Sequence, residues 1–420
     1  MSLSICRRIR DQISLLRDQP QLPFSDLLDA DLVEEVLEEQ GVKYRDRIFS
    51  PQVTLWTFLT QVLSLDHCCR KAVARLIAYR TARGEKACSA DSGSYCKARQ
   101  RLALGVITGL FHRLVHAHEE RVPKDWLWKG RKTLMVDGST VSMPDTQKNQ
   151  EAFPQPKTQA RGVGFPIARV VAIISLATGV LRGLAIGPYK GKGTGETALL
   201  RQLLDGLKGG EVLLGDRYFA SYFGISSLVE RGADGLFRMH QRRKFDFRKG
   251  RSLGIDDHIV TWTKPNRPAW MNEETYAQIP EEMKVRELRF QVQQPGFRAD
   301  ELVLVTTMLD AEEYTTEELA RLYLERWNIE LDLRAIKCVM QMDVLRCETP
   351  EMVIKEIWMH SLAYNLIRGV MAAAAEAHEK KPRQISFAGA LQTMEAFREV
   401  LNWAPPETRR LLVDVMLRAI

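Results

Sequence analysis

The spacing of apolar positions changes twice along the chain, and those changes divide it. Up to about residue 125 they recur at helical intervals, as in Thr54–Val62 and Ala72–Tyr79, which predicts a helical region over 1–125. One long helix is expected through SYCKARQRLALGVITGLFHRLVHAHEE, capped by Ser89, Asp91 or Ser92. After WLWKGRK the pattern turns short and β-branched. TLMVDGSTVSM reads as a strand, and IARVVAIISLATGVLRGLAIG as two strands joined at Thr178 and Gly179. KGKGTGETALLRQLLDGLKGG reads as a loop, a helix opened by Thr194 as a candidate cap, and a glycine stop. EVLLGD is a buried strand, RYFASYFGISSLVERG a helix and DGLFRMH a strand.

The order β, β, β, α, β, α, β is that of an RNase H-like α/β fold, a mixed sheet with helices on both faces. Between 240 and about 310 the period falls to two, in HIVTWT, ELRFQV and LVLVTTM, so a β-rich insertion is expected there. LVLVTTM returns the chain to the core. Helices near 316–342, 349–376, 384–402 and 406–419 finish it. The expected division is a helical DNA-binding region over 1–125, an RNase H-like core over 126–239, the insertion over 240–310, a core helix region over 311–345 and a C-terminal helical region over 346–420.

Composition narrows the partners. At 420 residues, 45% hydrophobic and 27% charged, the chain is globular and long enough for several domains. A net charge of +7 favours an anionic partner such as nucleic acid. Asp26 to Glu39 holds seven acidic residues and no basic one, whereas Gln241 to Arg251 holds six basic residues against Asp246. The second run, with Arg242, Arg243 and Lys244, is either a solvated face or a contact for phosphate. Seven cysteines at irregular spacing do not make a disulfide framework. His67, Cys68, Cys69, Cys88 and Cys96 cluster without a CxxC pair, so reduced, buried thiols are expected rather than zinc. No signal peptide and no run of about 18 apolar residues is seen, which points to a cytoplasmic protein.

Three acidic residues carry the chemistry. Asp137 follows TLMV at the end of the first strand, and Asp216 ends the fourth. These strands are neighbours in an RNase H-like sheet, so the two carboxylates converge. Buried beside apolar strands they repel each other, and a divalent cation resolves the conflict. Oxygen-only ligands favour Mg2+ or Mn2+. For Asp216, a cap on a helix starting near Tyr218 is the competing role. In YLERWNIELDLRAIK, Tyr323, Arg326, Glu330 and Lys337 fall on one stripe of a helix at about 100° per residue. Leu322, Ile329, Leu333, Ile336 and Met340 form an apolar stripe beside it. With the aspartates, Glu330 would complete a site for two-metal phosphoryl transfer. Arg326 and Lys337 would bind phosphate oxygens, and Tyr323 would offer its hydroxyl. GKGTGE lacks the spacing of a nucleotide-binding loop.

The segment fits Y-x2-R-x3-E-x6-K and resembles the YREK signature of DDE transposases from bacterial insertion sequences of the IS-four type. YRDRIFSPQVTLWTFLTQVL, DSGSYCKARQRL, VDGSTVSMPDT and GKGTGETALLRQLL followed by GDRYFASY resemble further blocks of that family. The resemblance covers roughly residues 40 to 370. It implies Asp137, Asp216 and Glu330 as metal ligands, and Tyr323, Arg326 and Lys337 as contacts to transposon-end DNA. It also implies a β insertion in the 114-residue interval from Asp216 to Glu330. Trp327, Trp262 and Trp270 either pack in the core or stack on an unpaired base, each stack being worth about 1–3 kcal/mol. The expected activity is cleavage of transposon ends and strand transfer of the freed 3′-hydroxyl. The implied partners are double-stranded DNA with terminal inverted repeats, target DNA and a second copy of the chain. A non-catalytic repressor descended from a transposase, or an RNase H-fold nuclease that cuts without joining, are the alternatives.

Overall fold

The computed structural model describes residues 28–420 apart from positions 29, 46, 65, 157, 159, 161 and 293–300. The helical reading of the first 27 residues, with Cys6, lies outside that set. Among the described residues five helices come first: α1 (Ala30–Glu39), α2 (Pro51–Val62), α3 (Cys69–Ala82), α4 (Gly93–Arg101) and α5 (Leu104–Glu119). The expected single helix is thus two. Leu102 and Ala103 are extended, with ψ of 117° and 137°. The break lets α4 pack against α2 and α3 while α5 packs against α1 and the long helix near the C-terminus.

The sheet begins with β1 (Thr133–Ser142), followed by α6 (Gln147–Ala152), β2 (Ile167–Ser175), β3 (Leu181–Pro188), α7 (Glu196–Arg201) and β4 (Val212–Gly215). Then come α8 (Tyr222–Glu230), β5 (Asp234–Arg238), β6 (Arg251–Gly254), β7 (Asp257–Thr263), α9 (Glu273–Gln278), β8 (Glu282–Gln291) and β9 (Glu301–Thr306). The strand order is β3-β2-β1-β4-β5-β9-β8-β7-β6. β1, β4 and β5 run parallel, and β2, β3 and β9 run antiparallel to their neighbours. The first five positions place β1 beside β4, the adjacency expected of an RNase H-like sheet. The strands between 251 and 306 do not form a sheet of their own. β9 pairs with β5 at Leu236 and Thr306, and β8, β7 and β6 continue outward from it.

Side-chain alternation sorts β1 and β4 onto two cores. Met135, Val212 and Leu214 join the larger core. Leu134, Val136 and Leu213 join a second core with residues of α7 and α8. The larger core is organised by the C-terminal helices: α10 (Thr316–Glu325), α11 (Asn328–Arg334), α12 (Pro350–Ala377), α13 (Phe387–Trp403) and α14 (Pro406–Ala419). Helix α12 is buried on almost every side, packed against α5, α2, α13 and α14. No helix among the described residues is long and apolar enough to cross a membrane.

Candidate active site

The register of β1 on β4 sets the first two acids. Thr133 to Val136 pair with Val212 to Gly215 in parallel, so the next position on each strand brings Asp137 alongside Asp216. Both share the side-chain parity of Met135 and Leu214, and so project on the face that carries the larger core. Asp137 Oδ1 accepts the Gly138 N–H at 2.8 Å. Burial pushes its carboxyl up to about 6; the Gly138 N–H and Arg326 oppose the shift, while Glu196 and Glu330 add to it. Asp216 Oδ1 accepts the Tyr218 N–H at 2.9 Å, a local turn. It is no helix cap, because α8 starts at Tyr222 with Ser221 as its N-cap.

The glutamate arrives on a broken helix. A capping box on Thr315 and Glu318 starts α10. The expected continuous helix then tightens. Arg326, Trp327, Ile329 and Glu330 donate their N–H groups three residues back, at 3.0–3.2 Å. Residues Ala335–Val339 relax into a π turn that contains Lys337. The even 100° spacing that placed all four polar residues on one stripe is therefore interrupted by two changes of winding between Tyr323 and Lys337. Tyr323, Arg326 and Glu330 are still close enough to act on the aspartates, Tyr323 with Asp216 and Glu330 with Asp137. Arg326 Nη1 lies 3.7 Å from Asp137 Oδ2, and its Nη2 lies 3.3 Å from Glu330 Oε1. Burial opposes the Arg326 charge, but Tyr323, Asp137, Glu330 and Asp216 outweigh it and raise its pKa. Asp137, Asp216 and Glu330 do not all lie within 4.8 Å of one another. Tyr323 is buried, and burial raises its hydroxyl pKa.

Two acids at or beside the site escaped the sequence reading. Glu196 opens α7 on the opposite face of the sheet. A Cβ on Gly138 would fall 2.4 Å from its Cδ, so the bare glycine admits it. Its pKa is raised by burial and by Asp216, against the pull of Arg169. Thr194, expected as the cap here, instead donates to the Gly191 carbonyl at 3.1 Å. The second is Asp332, two residues past Glu330 and 1% exposed. It pairs with Arg368 of α12, and both its oxygens accept from Arg383 Nη1 at 2.7 Å. This pins α11 from behind. A lone acid inside an amphipathic helix gave no sign of it, because its partners lie 36 and 51 residues away.

The tryptophans separate. Trp262 is 4% exposed, its Nε1 donates to Glu287 at 2.8 Å and Arg243 lies over its ring at 3.5 Å. It is a core residue and cannot stack on a base, which corrects one of the two readings. Trp270 is half exposed, with Arg201 over its ring at 3.7 Å. Trp327 is half exposed beside Arg326. In the basic run, Arg242 and Lys244 are exposed, whereas Arg243 is half-buried on Trp262. In α4, Arg99 turns inward to bond Gln61 at 3.0 Å, leaving Lys97 and Arg101 at the surface. Among the described residues the thiols are free, but only Cys88 and Cys347 are buried, and Cys338 is exposed.

Residues 128–366 match the transposase DDE domain family, and residues 21–112 match the insertion element 4 transposase N-terminal family. Transposase InsG for insertion sequence element IS4 of Escherichia coli strain K12 is 28% identical over 394 residues, 92% of this chain and 85% of that one. The transposase for insertion sequence element IS421 of Escherichia coli is 36% identical over 69 residues, 16% of this chain and 19% of that one. A solved structure, the piggyBac transposase synaptic complex with hairpin DNA, overlays with a TM-score of 0.48 at 9% identity, over 97% of this chain and 86% of that one. The first family match spans more than half of the residues, and the protein therefore belongs to the DDE transposases, enzymes that cleave and transfer DNA strands.

Proposed function

We propose that Asp137, Asp216 and Glu330 hold the divalent ions with which this transposase cuts the ends of its element. The observation that supports this is Arg326, a single cation on which the charges of all three acids act. Asp137 and Asp216 end adjacent parallel strands, and Arg326 spans from Asp137 to Glu330. Burial is the main cause of the raised pKa of Asp137, and the charges of Glu196 and Glu330 add to it, so a bound cation would favour the ionised carboxylate. Its donors are all carboxylate oxygens, which fits Mg2+ or Mn2+. Bound there, such ions stabilise the charge that builds on the attacking and leaving oxygens of a phosphodiester.

The chain's own groups then bind and orient the DNA. Arg326 carries five N–H donors in a planar fork suited to phosphate. With Asp137 and Glu330 engaged as metal ligands, its guanidinium would be free for that role. Tyr323 and Lys337 are the further phosphate contacts, with the exposed Arg242 and Lys244 along the approach. Trp327 and Trp270 are the tryptophans exposed enough to meet a base. The helical region over 1–125 takes the end sequence, with the exposed Lys97 and Arg101 on its basic edge. The core is 126–239 with 311–345, 240–310 is an extension of its sheet, and 346–420 joins two copies into a synaptic homodimer. The partners are double-stranded DNA bearing terminal inverted repeats and a target duplex, in the bacterial cytoplasm at the nucleoid.

The test is a nicking and strand-transfer assay on DNA carrying the ends of the element, with Mg2+ or Mn2+. Nicking that needs the metal, frees a 3′-hydroxyl, joins it to target and disappears in Asp216→Ala is the expected result. Binding without cleavage in any divalent metal would favour a repressor, and cleavage without joining would favour a plain nuclease.

A further inference from the structure

Away from the carboxylate site, the loop between α2 and α3 meets α12 through His67, Glu356 and His360. Glu356 and His360 are one turn apart on α12 and share a face. One ring nitrogen from each histidine and one carboxylate oxygen of Glu356 all lie within 4.8 Å of one another. All three residues are buried, His360 completely. Neither ring nitrogen of His360 has a hydrogen-bond partner, and Nδ1 of His67 has none. Buried polar atoms are rarely left in that state, and each such case calls for a cause.

The surroundings are built to hold these donors still. His67 sits at φ +49°, in the left-handed region that costs most residues strain. Its N–H donates to the Ser64 carbonyl at 3.0 Å, and its carbonyl accepts from the Gln61 amide at 2.9 Å. Gln61 is itself held by Tyr95 at 2.8 Å and Arg99 at 3.0 Å. The Glu356 carboxylate accepts the N–H groups of Arg346 and Cys347, each at 3.0 Å. Such bonds orient a ligating carboxylate without exhausting its lone pairs. The two imidazoles stand edge to face with centroids 5.1 Å apart. Burial keeps both neutral, the form that binds a metal. Asp66 and Asp343 act on His67 in favour of positive charge, and Arg346 acts against it.

We propose that His67, Glu356 and His360 form a transition-metal site for Zn2+ that fastens the N-terminal helices to α12. Two imidazoles and one carboxylate are a zinc donor set, with a fourth position left for water. Magnesium prefers oxygen alone, which separates this site chemically from the one at Asp137. A clamp here joins segments almost 300 positions apart in the chain and would keep the end-binding region in register with the core.

The full-length protein is purified without chelator and its metal content measured, then stripped with a zinc chelator and reloaded with Zn2+, Co2+ or Mg2+. About one zinc per chain is expected, lost in His360→Ala and His67→Ala and kept in an Asp137→Ala, Asp216→Ala double variant. Stripping should lower Tm, Zn2+ should restore it and Mg2+ should not. Co2+ in the intact chain should give the visible absorption of a low-symmetry nitrogen and oxygen site, which needs no variant to fold. Failure to take up Zn2+ or Co2+, with Tm indifferent to the chelator, overturns the proposal. Zinc lost only from the aspartate variant overturns it as well, by placing the ion at the other site.

Discussion

The guanidinium of Arg326 stands 3.7 Å from the Asp137 carboxylate, yet that carboxyl is still pushed up to about 6. Burial and the neighbouring acids outweigh the one cation. A raised pKa means that the folded chain holds this proton more tightly than the unfolded chain. The stabilisation from protonation is complete below the ordinary value of 3.8 and is lost as pH rises through about 6. Asp137→Asn keeps the shape and carries no charge. It should stabilise the metal-free protein by up to about 3 kcal/mol at pH 8 and by about a third of that at pH 4.5. Thermal melts in chelator at the two pH values test this, and an Asn variant no more stable than the parent at pH 8 counts against it.

The legible part of this fold was the part written in local patterns. TLMV and EVLLG show as buried strands because apolar β-branched runs have few other uses, and the adjacency of the two strands that carry Asp137 and Asp216 follows from the element order, whereas their register is a property of the sheet. The breaks were invisible. Nothing in LALG announces the extended turn at Leu102, since the apolar spacing runs through it and only the packing of α4 and α5 on different partners separates them. The tightening at Arg326 and the π turn around Lys337 are hidden for the same reason. Glu196, Asp332 and the pairing of His67 with His360 depend on contacts between remote segments, which spacing along the chain does not encode.

Glu196 should tune the metal. Its charge raises the Asp137 pKa, and Asp137 must lose its proton to act as a ligand. Apparent Mn2+ affinity should therefore fall about tenfold for each pH unit below about 6. Glu196→Gln removes the repulsion, so that acid limb should move to lower pH. Affinity at neutral pH should drop about 10- to 100-fold, as when a supporting carboxylate is lost. Mn2+ titrations from pH 5 to 8 read both effects; a limb left in place would show that Glu196 does not act on Asp137.

Asp332 should matter more to the fold than its neighbour Glu330. Its carboxylate is buried between Arg368 and Arg383. Asp332→Ala leaves two guanidiniums facing each other without a counter-charge, a loss of about 3–5 kcal/mol for a broken buried pair. Glu330→Gln, half exposed, should change stability by less than about 1 kcal/mol while abolishing nicking. Urea unfolding of both variants, run beside the cleavage assay, tests the division. Equal stability losses would mean that α11 is not anchored through Asp332.

Trp262 and Trp327 should split the same way between fold and DNA. Trp262 fills the core with its Nε1 bonded to Glu287 and its face covered by Arg243. Trp262→Ala empties that volume and leaves the Glu287 carboxylate short of a donor, at a cost of about 3–5 kcal/mol. End-DNA binding by the fraction that stays folded should be unchanged. Trp327 is 49% exposed at the turn between α10 and α11, beside the arginine proposed to take phosphate. Trp327→Ala should leave Tm within a degree or two and weaken binding of ends with an unpaired terminal base by about 1–3 kcal/mol, roughly 5- to 150-fold. Fully paired ends should lose much less, because a stacked base pair offers no open face. If paired and unpaired ends weaken alike, Trp327 contributes only to the general surface and the base-stacking role is wrong.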